Sequence, residues 1–298
     1  MKIKKWFERV LLLAGALAVL FSVLLLGARP WFRSWGASGT ELVEGLPGDD
    51  IVPAAATEET RAITINAPAQ RVWPWLAQLG QDRAGFYSFG VLEDLVGCEM
   101  PNLQHLDPAL QHWRLGDKLW MYPPRKLNGA GSATLLAWEP GHAMAFATRQ
   151  IGKPVDAPAD GSWSFVVAPL GPEQSRLVIR GRVADGQGPL TAAFTLLVFE
   201  PMHFAMERKT MVSIKTLAEG GRLSGTADVV AVILWTVTFL AFVFTGGLVL
   251  VGGETVRWVV TFLGAGLLFQ VLTLAQPPLW FGVPLVVILL TGLAWRRA

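Results

Sequence analysis

The chain is oily at both ends and water-compatible in the middle. Apolar runs at Val10–Gly27, Val229–Val251, Val256–Ala275 and Leu279–Trp295 bracket about 200 residues of mixed character. Roughly 18 to 20 apolar residues in a helix cross a hydrocarbon core of about 30 Å. With no water inside a bilayer, a spanning segment must close its own backbone hydrogen bonds, and none of these runs alternates as a barrel strand would. The plain reading is four transmembrane helices, the last three adjacent and antiparallel because only Gly252-Gly253-Glu254 and Gln276-Pro277-Pro278 separate them. The first run is longer than a usual signal-peptide core, which favours an uncleaved anchor; the small Gly27 and Ala28 leave a cleaved leader as the alternative.

Charge supplies an orientation. Lys2, Lys4, Lys5 and Arg9 precede the first run, Arg296-Arg297 end the chain, and Arg257 sits at the edge of the third run. An even number of spans puts both termini on one side, and the positive-inside tendency makes that side cytoplasmic. Arg29, Arg33, Lys215 and Arg222 pull the other way. The expected protein is integral to the membrane, with both termini cytoplasmic and the central domain extracytoplasmic. Apart from Arg257 at its edge, no run contains an ionisable residue. That absence argues against an ion or proton pump, which needs such groups as stepping stones.

The pattern divides the chain into an anchor at 1–28, a juxtamembrane linker at 29–59, a domain at 60–222 and a three-helix membrane region at 228–298. The linker is rich in Gly, Pro, Ala and acids and carries interfacial Trp31, Phe32 and Trp35. In the domain, alternating Arg61–Ile65 reads as a strand, and Gln70–Leu79 as a helix whose face carries Val72, Trp73, Trp75, Leu76 and Leu79 at mixed three- and four-residue spacing. A second short helix fits Phe89–Val96. Five strand-like pieces follow at Lys118–Tyr122, Ser132–Glu139, Ala143–Arg149, Gly161–Pro169 and Ser175–Val183, divided by turns such as Glu139-Pro140-Gly141. Pro189–Phe199 then reads as helical, with Pro201 opening a longer helix to about Glu219 whose buried stripe is Phe204, Met211, Ile214 and Leu217. A long helix across a curved antiparallel sheet gives an α+β fold.

Several stretches resemble a known superfamily. They are Val72-Trp73-Pro74-Trp75-Leu76-Ala77-Gln78-Leu79-Gly80-Gln81-Asp82-Arg83-Ala84-Gly85-Phe86-Tyr87-Ser88, Leu92-Glu93-Asp94-Leu95-Val96-Gly97-Cys98, and Glu200-Pro201-Met202-His203-Phe204-Ala205-Met206-Glu207-Arg208-Lys209. Together they look like the bacterial SRPBCC proteins, the START/Bet v 1-like group often labelled polyketide cyclase/dehydrase-like, over roughly Thr60 to Glu219. The resemblance implies a helix-grip fold around a hydrophobic cavity. It also implies ligands such as lipids, sterols or polyketides, cyclisation chemistry in some members, and here a bacterial plasma membrane. Four added spans depart from the usual soluble member.

Candidate site residues follow from side-chain chemistry. Trp73, Trp75, Phe86, Tyr87, Trp120, Tyr122, Trp138, Trp163, Phe165 and Phe204 offer ring faces for an apolar ligand, or else fill an ordinary core. Arg83 and Tyr87 share a loop and either hold an acidic headgroup at a cavity mouth or make a structural ion pair with Asp82, Glu93 or Asp94. Glu200, His203 and Glu207 fall on one helical face. They form a structural network with Arg208 or Lys209, a ligand contact, or a carboxylate-oriented general base. His203, Glu207, Arg83 and Tyr87 are therefore the candidate catalytic groups.

Other chemistries find little support. His105 and His112 flank Asp107 while His142 and His203 lie far off, so no metal is expected. The lone Cys98 has no disulfide partner within the chain and reads as a buried small side chain. No phosphate or dinucleotide loop is present, and no cofactor is expected. Residues 28–227 hold 18 Lys/Arg against 20 Asp/Glu, too balanced to collect nucleic acid. The leading expectation is a membrane-anchored module that binds or transfers a hydrophobic small molecule or lipid. The alternatives are an enzyme cyclising or dehydrating a polyketide- or isoprenoid-like substrate, and an assembly or sensory subunit whose membrane helices contact a protein partner.

Overall fold

A computed structural model describes residues 2–126, 131–149, 158–185 and 188–294. The chain divides into two units, Phe32–Ser224 and a second built from Met1–Trp31 with Gly225–Ala298.

In the second unit, α1 (Lys2–Ser22) continues through a π turn into α2 (Arg29–Arg33), which crosses the unit boundary. After the domain come α7 (Gly225–Val251), α8 (Thr255–Gln270) and α9 (Leu279–Ala294), named here ahead of the domain's own α3 to α6. Leu20 of α1, Val249 of α7 and Phe262 of α8 share a buried cluster, and the Phe242 and Phe262 rings stack at 4.4 Å. Small residues set how closely these helices approach. A Cβ on Gly266 would lie 2.6 Å from a Leu20 methyl, so the glycine admits its neighbour.

Four helices are long and apolar enough to cross a membrane: Ile3–Arg33, Pro189–Ala218, Gly225–Val251 and Thr255–Ala275. They support an integral membrane protein. This set differs from the sequence reading in two places. The run at Leu279–Trp295 forms a 16-residue helix to Ala294, with Trp295 outside the described residues. Pro189–Ala218, divided in the sequence reading, is one continuous helical stretch.

In the domain, six antiparallel strands form one open sheet in the order β1-β6-β5-β4-β3-β2: β1 (Ala55–Ile65), β2 (Lys118–Trp120), β3 (Ser132–Glu139), β4 (Ala143–Thr148), β5 (Gly161–Gly171) and β6 (Gln174–Ala184). Between β1 and β2 lie α3 (Ala69–Ala77) and α4 (Gly90–Leu95). After β6 come α5 (Pro189–Phe194), a π segment at Thr195–Phe199, and the long α6 (Glu200–Ala218). The wide turn explains how Pro201 sits inside a continuous helix: the ring removes a donor and crowds the preceding turn, and local π geometry accommodates both.

Strand alternation divides the side chains between two faces. On the inner face Ile65, Phe146, Phe165, Val167, Leu177 and Ile179 pack with Met211, Ile214 and Leu217 of α6 and Val72 and Leu76 of α3. On the outer face Ala62, Ala143, Val166 and Val178 pack with Ala37 and Leu46. Burial on both sides explains why the central strands lack clean alternation.

The outer cover is the stretch after the first apolar helix, and β6 grips it with three outward arginines. Arg176 Nε meets Glu41 Oε1 at 2.7 Å. Arg180 reaches Asp49 Oδ2 at 2.7 Å and the Glu41 and Glu44 carbonyls, and Arg182 donates to the Asp49 carbonyl at 2.9 Å. Gly48, at φ +91°, lies so close to the sheet that an added Cβ would sit 2.4 Å from the Ala145 Cβ.

Candidate functional site

At the end of the inner face nearest the head of α6, the odd-numbered side chains of β1 change from Ile65 and Ile63 to Arg61 and Glu59. Register makes room for them. Glu59 and Trp163 both pair with Gly181, one from each side of β6, and a Cβ on Gly181 would come within 3.2 Å of Glu59 Oε1. The glycine thus leaves a gap in the side-chain layer that the carboxylate enters.

Helix α6 lies over this gap. Four positions apart on the helix, His203 and Glu207 both turn toward β1. Arg61 Nη1 donates to Glu207 Oε1 at 2.6 Å, Nη2 to Glu59 Oε2 at 2.5 Å, and Nε to the Phe32 carbonyl at 2.8 Å. Trp163 Nε1 donates to Glu207 Oε2 at 2.9 Å, and His203 Nδ1 lies 3.4 Å from Glu59 Oε1. The Arg61 and Glu207 side chains are 1% and 2% exposed, whereas His203 keeps 28%. A buried guanidinium is tolerable when its charge and its planar donor array are matched, and here two carboxylates and a carbonyl do both.

Proton affinities follow from this arrangement. Burial alone pushes the Glu59 carboxyl up, but the Arg61 charge and the His203 ring bring it down to about 2. Burial works against a charged His203, yet the hydrogen bond to Glu59 and the fields of Glu207 and Glu59 outweigh it and raise the imidazole above its ordinary value. Chemically, the cluster keeps Arg61 fixed and charged and presents one half-exposed imidazole that favours its protonated form.

Rings surround it. Phe199 stacks on His203 at 5.5 Å with planes 10° apart, and Trp163 touches His203, Phe165 and Phe86. From Phe165 the chain of rings continues through Phe146 and Trp113 to Trp138 and Trp73. Phe204 stacks on Phe32 at 5.3 Å and lies under the Arg61 guanidinium.

The structure brings together five of the candidates, His203, Glu207, Trp163, Phe165 and Phe86, in one ring-bordered cluster, with Phe204 beneath Arg61. Trp73 and Trp138 touch each other at the far end of the ring chain, and Trp75 packs edge-on against Tyr87. Trp120 and Tyr122 are half-buried at β2 and just beyond it. Arg83 and Tyr87 take separate partners. Arg83 stacks over Trp113 at 3.8 Å and donates to the Leu110 carbonyl. Tyr87 is fully buried at φ +55°, accepts from Gln78 at 2.8 Å, and has its hydroxyl pushed up in pKa by burial. Glu200 is buried at the head of α6.

Sequence reasoning missed Glu59, Arg61 and Phe32. Glu59 resembles the acidic tail of a linker and Arg61 a strand's first residue. The available signal was an alternating Glu59-x-Arg61-x-Ile63-x-Ile65, which puts a charge pair on a face that is otherwise apolar. Among the described residues, no three His, Cys, Asp or Glu side chains gather as a metal site. A surface depression of about 450 Å³ lined by Ile3, Lys5, Trp6 and Arg9 belongs to the other unit and includes none of these residues.

The chain matches no protein-family model and no curated protein sequence. Among solved structures it aligns with a Mycobacterium smegmatis protein at 15% identity and TM-score 0.33, covering 56% of this chain and 93% of that one. A Mesorhizobium loti protein aligns at 13% identity and TM-score 0.31 over 55% of this chain and 100% of the other. A polyketide-cyclase-like protein from Corynebacterium glutamicum aligns at 13% identity and TM-score 0.28 over 54% and 91%.

Proposed function

We propose that this chain is a membrane-anchored module that binds or transfers a hydrophobic small molecule or lipid. The observation that carries the reading is the run of rings along the sheet's inner face, from Trp73 and Trp138 to Trp163. Two of its members, Trp138 and Trp163, stay half-exposed, and the run ends at a fixed arginine and a half-exposed imidazole. Flat apolar walls with a few convergent polar groups suit a greasy molecule bearing one polar end. Tethering such a module to the bilayer raises its effective concentration where that molecule dissolves. The charge distribution supports termini in the cytoplasm and the domain outside it.

Mass spectrometry of small molecules retained by the full chain, purified in several detergents, tests this. A stoichiometric apolar molecule, depleted in a Trp138→Ala or Trp163→Ala variant, is expected. Its absence in every detergent would sink the reading.

One observation favours a second reading, an enzyme that cyclises or dehydrates an apolar substrate. His203 is half-exposed and carries a carboxylate on Nδ1, the arrangement that orients an imidazole for proton transfer. In that case His203→Gln abolishes turnover while retained ligand persists, whereas a carrier keeps its transfer rate in the same variant.

A further inference from the structure

The helical stretch ahead of Pro201 is unlike the rest of the domain. From Gly188 to Phe199 it carries no charged residue, and its large apolar side chains face outward. Leu190 is 86% and Phe194 56% exposed; Val198, Phe199 and Met202 are also exposed. Leu190, Phe194, Val198 and Met202 recur every four residues and so form a stripe. An uncharged stripe of this kind in water costs apolar hydration along its length.

The domain's chain connections say what covers it. Phe32, the residue at which the first apolar helix gives way to the domain, stacks on Phe204, which follows Phe199 and Met202 on the same continuous helix. The helix that carries the stripe is therefore tied, through Phe204, to the residue that directly follows the first apolar segment in the chain. Further along the same helix two cations lie on aromatic faces: Arg208 over Trp35 at 5.0 Å and Lys209 over Phe89 at 5.5 Å. Rings and cations together are the usual chemistry of the headgroup layer.

The same stretch does not suit a transmembrane passage. Beyond it, α6 buries Phe204, Glu207, Met211 and Ile214 in the domain, so only Pro189–Phe199 lies outside the domain core, about 16 Å of helix against a hydrocarbon core of about 30 Å. We infer that α5 and its π segment form an in-plane apolar helix that sinks Leu190, Phe194 and Val198 into the lipid surface. The occupant of this face is the acyl–headgroup boundary of the bilayer that anchors the chain.

The test uses the full chain in nanodiscs of phosphatidylcholine and phosphatidylglycerol, in a Cys98→Ala background. An environment-sensitive fluorophore is attached through Leu190→Cys, Phe194→Cys or, as control, the exposed Leu170→Cys on β5. At 190 and 194 a blue-shifted emission, quenching by lipids doxyl-labelled near the headgroup and loss of iodide quenching are expected; at 170 the reverse. Iodide quenching at 190 and 194 equal to that at 170, with no effect of doxyl lipid, would overturn the inference. So would shielding from both quenchers in discs that hold two copies of the chain, because the face would then be a protein contact. Neither outcome bears on whether the domain retains a ligand.

Discussion

Arg61 and Glu207, 146 residues apart in sequence, meet at 2.6 Å with almost none of either side chain exposed. Arg61 also holds Glu59, so the two partners are unequal. Arg61→Ala strands two carboxylates in a dry setting, whereas Glu207→Ala leaves Arg61 with Glu59 and the Phe32 carbonyl. Removing one member of a buried pair costs about 3–5 kcal/mol. Arg61→Ala should sit at or above that range and Glu207→Ala below it, as read from denaturant midpoints of the domain signal in detergent. Equal losses would mean that Glu59 is not held by Arg61.

His203 gives the domain an alkaline limit. Its folded pKa lies above the ordinary imidazole value, so the stability it contributes is fully present below that value and is lost as pH rises through the folded one. Melting temperature against pH should fall over this window in the native chain and stay flat in His203→Gln. A ¹⁵N titration of the ring should report the same raised midpoint, and should return toward the ordinary value in Glu59→Gln.

An acid limit comes from the outer face. The Arg176 hydrogen bond holds Glu41 down to about 2 from an ordinary 4.5. A depressed carboxylate contributes stability above its unfolded value, and this is lost as pH falls from about 4.5 toward 2. Glu41→Gln should make that part of the pH profile shallower, leaving the share that Glu59 contributes over the same window. Hydrogen exchange on β6 and on residues 36–49 is the direct measurement, since loss of the grip should speed exchange there first.

Gly48 should tolerate no side chain. An alanine there meets the Ala145 Cβ at 2.4 Å and Ser164 Oγ at 2.7 Å, and must also adopt φ +91°. Overpacking of this kind costs about 1–3 kcal/mol. Gly48→Ala should lower the melting temperature, while Gly45→Ala, with open space around it, should leave it unchanged.

The strands of the domain were legible because each is short, bounded by turns and locally patterned. Ser132–Glu139 agrees to the residue, the other meander strands differ by one or two positions at their ends, and β1 begins at Ala55, six residues before the Arg61 start read from the sequence. The pairing of His203 with Glu207 on one face was legible for the same reason, since helical spacing is local. What the sequence concealed lies at long range. Nothing near Glu59 announces Arg61's partner on α6, and nothing near Glu41 announces Arg176. Arg83 and Tyr87 show the opposite hazard. They are neighbours in sequence, but Tyr87 sits at φ +55° and turns its ring into the core beside Trp75, while Arg83 lies flat on Trp113.

Phe32 gives its carbonyl to Arg61 and its ring to Phe204, so the first residue of the domain is pinned at its charged interior. Any displacement of the Phe32 backbone reaches directly the guanidinium that joins Glu59 to Glu207. A change at Phe32 is thereby delivered to a place in the domain where charge is held in a dry interior.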